Sequence, residues 1–212
     1  MLGYRIISIV IGYVFGLFPT GRIVGKIKKV DLSKEGSGNT GATNALRVTG
    51  VSGGIMTLAG DVLKAVLPIL IVWALFHKVG NGTQTLKLYA GLGAVLGHDF
   101  PVTNGFKGGK GIASMLGVVL AVSALMVPAL AVVFIGVAVA SGYVSLASIC
   151  AICGLAVESY IFAAAGLFKD TGPFRIELCV LFTLLAALAV FQHRKNIERL
   201  RNGTENRFGH KG

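Results

Sequence analysis

IASMLGVVLAVSALMVPALAVVFIGVAVASGYV, residues 112–144, runs for 33 residues without a single charge. As one α-helix it would extend about 50 Å at 1.5 Å per residue, far more than the roughly 30 Å hydrocarbon core of a bilayer. The stretch is therefore expected to form two spanning helices, with the break near Pro128. Five further apolar stretches flank it, at 2–24, 50–76, 86–97, 146–168 and 176–191. The 86–97 stretch is short for a span, about 18 Å. It is expected to be tilted, shielded by protein or followed by a loop that dips into the membrane.

Basic residues test the break independently, because cytoplasmic loops of membrane proteins are enriched in Lys and Arg. The 20–50 segment carries Arg22, Lys26, Lys28, Lys29, Lys34 and Arg47, and the 98–111 loop carries Lys107 and Lys110. The tail from Gln192 onward carries Arg194, Lys195, Arg199, Arg201, Arg207 and Lys211. If all three segments face the cytoplasm, an even number of crossings must separate the second from the third. Three apolar stretches fail that condition, and four, with residues 112–144 divided, meet it. The expected architecture is all-α: a polytopic membrane protein of seven transmembrane helices, N-terminus outside and C-terminus cytoplasmic, forming a single domain over residues 1–212. Outer connections are expected near 78–85, Pro128 and 169–175.

Composition agrees with this reading. Of 212 residues, 54% are hydrophobic and 14% charged, yet the formal net charge is +11. Soluble domains carry about 25% charged residues, and a disordered or nucleic-acid-binding basic chain lacks this apolar mass. The glycines follow no repeat. Cys150, Cys153 and Cys179 lie in apolar stretches and read as small buried hydrophobes, with no disulfide framework. The N-terminal apolar run has no small-residue cleavage site before Arg22 and is expected to be a retained anchor.

The three basic segments are unlike ordinary topology loops. The first reads EGSGNTGATNALR at 35–47: Gly36, Gly38 and Gly41 permit positive φ and let amides converge on an anion, Ser37, Asn39, Thr40 and Asn44 supply neutral hydrogen-bonding groups, and Arg47 supplies a bidentate cation. An oxyanion or phosphate site is the natural product, beside the plainer alternative of a flexible basic loop. No Gly-Lys-Ser/Thr ending and no preceding strand make it a nucleotide loop.

The second reads GHDFP at 97–101 and FKGGKGIAS at 106–114. Gly108, Gly109 and Gly111 around Lys107 and Lys110 at a helix start suit a phosphate. A topology anchor explains the lysines but has no use for those glycines. His98 and Asp99 read either as a helix-end pair or as part of the site.

The third, HRKNIERLRNGTE at 193–205, places His193 and Asn196 on one face if helical and lets Glu198 pair with Arg194 or Arg201. It reads as a juxtamembrane basic helix on anionic lipid, to which His193 adds proton transfer or phosphate binding. Asp61 and Lys64 stand one turn apart inside the second apolar stretch, where charges need a partner or a polar interior; Glu158 has no nameable partner. There is no G-x-S-x-G elbow, no H-E-x-x-H, no metal cluster and no H-x-x-x-x-D acyltransferase motif.

GSGNTGATNALR at 36–47, GHDFPV with FKGGKGIA at 97–113, and HRKNIERLRNGTE at 193–205 resemble, in order and spacing, the signature motifs of the bacterial acyl-phosphate:glycerol-3-phosphate acyltransferases, the PlsY family; GDVLK at 60–64 fits too. The resemblance implies a seven-helix enzyme of the bacterial inner membrane with a cytoplasmic active site. It would transfer a fatty acyl group from acyl phosphate to the sn-1 hydroxyl of glycerol 3-phosphate in phospholipid synthesis, giving lysophosphatidic acid and inorganic phosphate.

The same resemblance brings no metal or organic cofactor, involves membrane lipid but no nucleic acid, and implies a soluble acyl-phosphate-forming enzyme as supplier. Ser37, Arg47, Lys107, His193 and Asn196 are the expected catalytic set, with Gly36, Gly38, Asn39, Thr40, Gly41, Asn44, His98, Gly108, Gly109, Lys110 and Gly111 binding substrate phosphates. Asp61, Lys64 and Glu205 are the expected structural support. The alternative reading is a transporter or channel for a phosphorylated metabolite, against which stands the absence of an inverted motif copy.

Overall fold

The computed structural model describes residues 1–207; Lys211, counted with the basic tail, lies outside them. Among the described residues nine α-helices and no strand are found: α1 Leu2–Gly16, α2 Thr20–Ile27, α3 Ala42–Phe76, α4 Thr83–Asp99, α5 Ile112–Ser123, α6 Val127–Ser141, α7 Val144–Ala164, α8 Pro173–Gln192 and α9 Arg194–Arg201. Five stretches are long and apolar enough to cross a membrane: Leu2–Ile27, Ala42–Val79, Ile112–Ser141, Val144–Ala164 and Pro173–Gln192. The helix within residues 112–144 is interrupted by extended backbone at Ser123 (φ −156°, ψ 78°) and by a 3-10 turn at Ala124–Met126. Pro128 then sits in the first turn of α6, where its missing N–H costs nothing.

Chain contacts divide the protein into two compact units, Met1–Val122 and Ser123 onward. In the first unit α1 and α4 meet backbone to backbone. A β-carbon at Gly12 would stand 2.0 Å from the Ala90 carbonyl oxygen, one at Gly16 2.3 Å from that of Ala94, one at Gly93 2.1 Å from that of Ile9, and one at Gly97 2.3 Å from that of Tyr13. Both helices thus carry a small-xxx-small pair at the same interface, the device that lets membrane helices gain dispersion contact without a hydrophobic driving force. α4 is longer than hydropathy indicates, because it begins in the polar residues Gln84 and Thr85. Both are buried, and Gln84 Nε2 donates to the Val122 carbonyl at 3.0 Å. With Leu86, Leu88, Ala90, Ala94 and Val95 also buried, α4 is shielded by its neighbours.

α3 is two rods in one run. Gly50 adopts φ 76° and ψ −173°, which separates the lead-in from the apolar rod that holds Asp61 and Lys64. α5 closes on that rod through Gly117, whose β-carbon would lie 2.5 Å from the Val62 carbonyl oxygen.

In the second unit α7 and α8 pack through Ile152, Leu155 and Phe162 against Leu178, Phe182 and Leu185, all buried, and Phe168 stacks on Phe182 at 6.2 Å between ring centroids. α6 has no buried residue among those described, and Val139 is 80% exposed, the surface expected of a helix solvated by lipid. Cys179 is buried as expected, but Cys150 is only half-buried and Cys153 is exposed, because α7 presents that side away from α8.

Candidate functional site

The loop between α2 and α3 is shaped by one amide. Asn44, 2% exposed, donates from Nδ2 to the carbonyls of Leu32 (3.1 Å) and Glu35 (3.0 Å) and accepts at Oδ1 from the Ser37 amide (2.8 Å). Gly36 (φ 58°) passes so close that a β-carbon there would stand 2.4 Å from Asn44 Oδ1. Asn39 Oδ1 accepts from the Gly41 amide at 2.8 Å, an Asx turn, and the Gly38 amide donates to the Glu35 carbonyl at 3.0 Å. The amides of Ser37, Gly38 and Gly41 are therefore spent inside the loop. Asn44 has its acceptor and both donors committed to the chain itself, so it builds the loop. Ser37 and Arg47 are at its surface, and Thr40 turns inward against Gly21 of α2.

The 107–111 segment folds onto the end of α4. The Gly109 amide donates to the His98 carbonyl at 3.1 Å, and β-carbons at Gly108 and Gly109 would lie 2.0 Å from His98 O and from His98 Nε2 respectively. Gly111 (φ 72°) faces the buried Asp99 carboxylate and starts α5. A β-carbon would collide with the His98 carbonyl at Gly108 and with the His98 ring at Gly109, and at Gly111 it would be strained by the left-handed φ.

Beneath the segment lies a buried charged cluster. Lys64 Nζ stands 2.9 Å from Asp61 Oδ1 and 2.6 Å from His98 Nδ1, and donates to the Phe18 carbonyl at 3.1 Å. His98 Nδ1 lies 3.6 Å from Asp61 Oδ1. Asp61 and Lys64 are thus paired as their spacing indicates, and His98, thirty-odd residues on, completes the cluster by tertiary contact.

A cleft opens within this unit. It is lined by Gly16, Thr20, Arg22, Thr40, Asp61, Lys64, His98, Asn104, Lys107, Gly108 and Gly109, among others. Three cations and a glycine-walled floor give it the chemistry of an anion receptor. Of the expected site residues, Thr40, His98, Lys107, Gly108 and Gly109 line it, as do Asp61 and Lys64; Ser37, Asn39, Arg47, Lys110 and Gly111 do not. Sequence reasoning missed Thr20, Arg22 and Asn104. Arg22 was visible only as a topology charge. Thr20, 6% exposed, has an Oγ1 with no partner among the described residues.

The third motif belongs to the second unit, where it forms the junction of α8 and α9. His193 Nδ1 contacts the Ala189 carbonyl at 2.7 Å. A carbonyl only accepts, so Nδ1 carries the proton and Nε2 is the basic nitrogen of the neutral ring. Asn196 Nδ2 donates to Glu205 Oε1 at 2.8 Å, while its buried Oδ1 has no partner among the described residues. Glu205 also accepts from Ser145 Oγ at 3.0 Å and from Arg199 Nε at 2.7 Å, so one carboxylate organises α7, α9 and the chain that follows α9. Glu198 pairs with neither Arg194 nor Arg201 among the described residues. Arg194 reaches back instead, to the Phe191 carbonyl at 3.2 Å and over the Phe191 ring, because the last carbonyls of α8 attract a cation.

Helices long and apolar enough to cross a membrane, a buried Asp-Lys-His cluster and a glycine-walled cationic cleft give the chain the make-up of an integral membrane protein with a site chemically suited to an anion. A family model described as glycerol-3-phosphate acyltransferase matches residues 6–203. Proteins named glycerol-3-phosphate acyltransferase from Geobacter sulfurreducens and Aquifex aeolicus are 40% and 38% identical to the chain, over 96% and 94% of it and 97% of each relative. The crystal structure of PlsY, an integral membrane glycerol 3-phosphate acyltransferase, superposes in its glycerol 3-phosphate form with a TM-score of 0.82 at 36% identity, covering 97% of this chain and 96% of that one. Its lysophosphatidic acid form gives 0.80 at 35% identity, covering 97% and 95%. The chain belongs to the glycerol-3-phosphate acyltransferase family, and is an acyltransferase.

Proposed function

We propose that this enzyme transfers a fatty acyl group from acyl phosphate to the sn-1 hydroxyl of glycerol 3-phosphate, releasing inorganic phosphate and 1-acylglycerol 3-phosphate for phospholipid synthesis. The observation that carries the reading is the cleft of the first unit, where Lys64, Arg22 and Lys107 surround glycine backbone at the end of apolar helices. Two phosphorylated substrates bring about four negative charges together, and fixed cations lower that repulsion before the reaction begins. An acyl phosphate is already activated, so orientation and charge neutralisation suffice without a covalent enzyme intermediate.

In the step itself the sn-1 oxygen bonds to the acyl carbon, the acyl carbon–phosphate oxygen bond breaks, and phosphate leaves with the electron pair. The hydroxyl proton passes to His193 Nε2 or to a phosphate oxygen. Ser37, Asn39, Thr40, Arg47, Lys107, Lys110 and the amides of Gly36, Gly108 and Gly111 hold the phosphates; Gly38, Gly41 and Gly109, whose amides are bonded within the chain, shape the backbone around them, and Asn44 holds their loop. His193 and Asn196 orient glycerol 3-phosphate. The unpartnered Asn196 Oδ1 supports this as an acceptor for a substrate hydroxyl. His98, which lines the cleft, joins the phosphate ligands, and Asp61, Lys64 and Glu205 keep these groups in place.

The reading includes one domain, residues 1–212, crossing a bacterial inner membrane seven times with its N-terminus outside and its catalytic loops in the cytoplasm. There a soluble enzyme supplies the acyl phosphate. Family membership favours this enzyme over a phosphometabolite transporter. The test is purified protein in detergent or lipid with palmitoyl phosphate and glycerol 3-phosphate. Phosphate release that requires both substrates is the expected result, and none from folded protein would sink the assignment.

A further inference from the structure

The rim of the cleft is crossed by a polar bridge that ties two residues outside the quoted motifs, Arg22 and Asn104, to Lys107 of the second. Arg22, exposed on α2, donates from a guanidinium nitrogen to Asn104 Oδ1. Asn104 Nδ2 donates to the Lys107 carbonyl, and the Lys107 amide donates back to the Asn104 carbonyl at 3.2 Å. Asn104 therefore grips the backbone of Lys107 with both its side chain and its main chain, and Arg22 anchors that grip on a separate helix.

The turn so held is strained. Phe106 (φ 59°) is left-handed, a conformation that a side chain with a β-carbon resists, while Gly105 (φ 57°) before it takes the same region freely. The Phe106 side chain is 60% exposed, so burial of the ring does not offset the strain. What holds the turn is hydrogen bonding: the amides of Asn104 and Phe106 both donate to the Pro101 carbonyl at 3.0 Å, and the Asn104 grip closes the far side. Arg22, Asn104 and Lys107 line the same cleft as Thr20 with its unpartnered hydroxyl. A strained turn next to a candidate phosphate-binding lysine, pinned from another helix, is what positioning of that lysine requires.

We propose that Arg22 and Asn104 are positioning residues: their clasp fixes the Lys107 ammonium at the mouth of the cleft and thereby sets the affinity for a phosphorylated substrate. This rests on the acyltransferase reading, so the experiment measures binding separately from turnover. Wild type, Arg22→Ala, Asn104→Ala, the double variant, Arg22→Lys and Lys34→Ala are purified as full chains. KM and kcat are measured for palmitoyl phosphate and for glycerol 3-phosphate. The rise in unfolding temperature with inorganic phosphate is recorded alongside.

Each alanine variant is expected to raise KM for at least one substrate about 5- to 10-fold while kcat stays within about 2-fold, the split that separates positioning from loss of fold. The double variant should be no worse than the weaker single, because the two residues act as one unit. Arg22→Lys, which keeps a donor, should recover most of the loss. Lys34→Ala removes an equal charge from an exposed side chain and should change nothing.

Arg22→Ala is exposed enough to fold and decides the matter alone. If its KM values and phosphate response match wild type, the clasp has no positioning role. Additive losses in the double variant, or an equal loss in Lys34→Ala, overturn it as well. If wild type responds to phosphate but transfers no acyl group, the acyltransferase reading fails and the clasp is judged on binding: a phosphate response weakened in Arg22→Ala sustains it, an unchanged one refutes it.

Discussion

Replacing Asn44 with Asp changes one NH₂ for an oxygen and tests whether that amide shapes the first loop. The variant keeps the acceptor for the Ser37 amide but loses both donated bonds, to Leu32 and Glu35, and sets an oxygen against those two carbonyls in a position only 2% exposed. Two lost bonds cost about 1 kcal/mol each, and the buried, mispaired carboxylate adds about as much again or more, for a total of about 3–5 kcal/mol. Asn44→Ala leaves the same carbonyls and the Ser37 amide without the side chain but introduces no charge, so it should cost less, about 2–3 kcal/mol. The assay is thermal unfolding in detergent together with turnover at saturating substrate. The folded state disfavours the ionised form of the introduced carboxyl, so the deficit of Asn44→Asp should grow as pH rises through the carboxylate range and shrink as pH falls, while that of Asn44→Ala stays flat. An Asn44→Asp variant as stable and active as wild type, or one milder than Asn44→Ala, would refute the view that the amide donors hold the loop.

Other perturbations probe the rest of the molecule. Gly36→Ala combines a left-handed φ of 58° with a β-carbon 2.4 Å from Asn44 Oδ1, and should lower kcat/KM at least about 10-fold; activity within twofold of wild type excludes this account. Gly93→Leu should separate α1 from α4 and lower the unfolding midpoint, whereas Gly136→Leu, with open space at its β-carbon, should not; equal effects from the two would show that the close approach is unimportant. His193→Gln tests the base: turnover near wild type at saturating substrate assigns proton removal to a phosphate oxygen, and a loss of about 100-fold or more supports Nε2. Glu205→Gln keeps the shape but removes the charge that binds Arg199 at 2.7 Å, and should raise KM for glycerol 3-phosphate severalfold by loosening Asn196; an unchanged KM removes Glu205 from that role.

The parts of the fold legible in the sequence are those governed by length. Residues 112–144 exceed the bilayer thickness, which demands a break, and Pro128 indicates roughly where; the helix yields slightly earlier, at Ser123, because proline accepts the first turn of the next helix more readily than the end of the last. α4 is under-read from hydropathy because Gln84 and Thr85 look like loop residues until the Val122 carbonyl is seen to receive Gln84. The motifs name the loops of the site but not the division of labour within them. Nothing local tells that Asn44 bonds carbonyls nine and twelve residues earlier, so it reads as a ligand when it is a brace. Arg22 and Asn104 meet across 82 residues of sequence, and no periodicity encodes such a pair.

The glycine interlock of α1 and α4 has a bearing on how this enzyme can change over generations. Gly16 and Gly97 belong both to that interlock and to the lining of the cleft. One wall of the cleft is therefore main chain against main chain, with no side chain to trim or enlarge, and a mutation there removes the scaffold together with the site. Variation in ligand preference must come from lining positions that carry side chains, such as Leu17, Phe18 and Thr103. The architecture divides the cleft into an inherited half and an adjustable one.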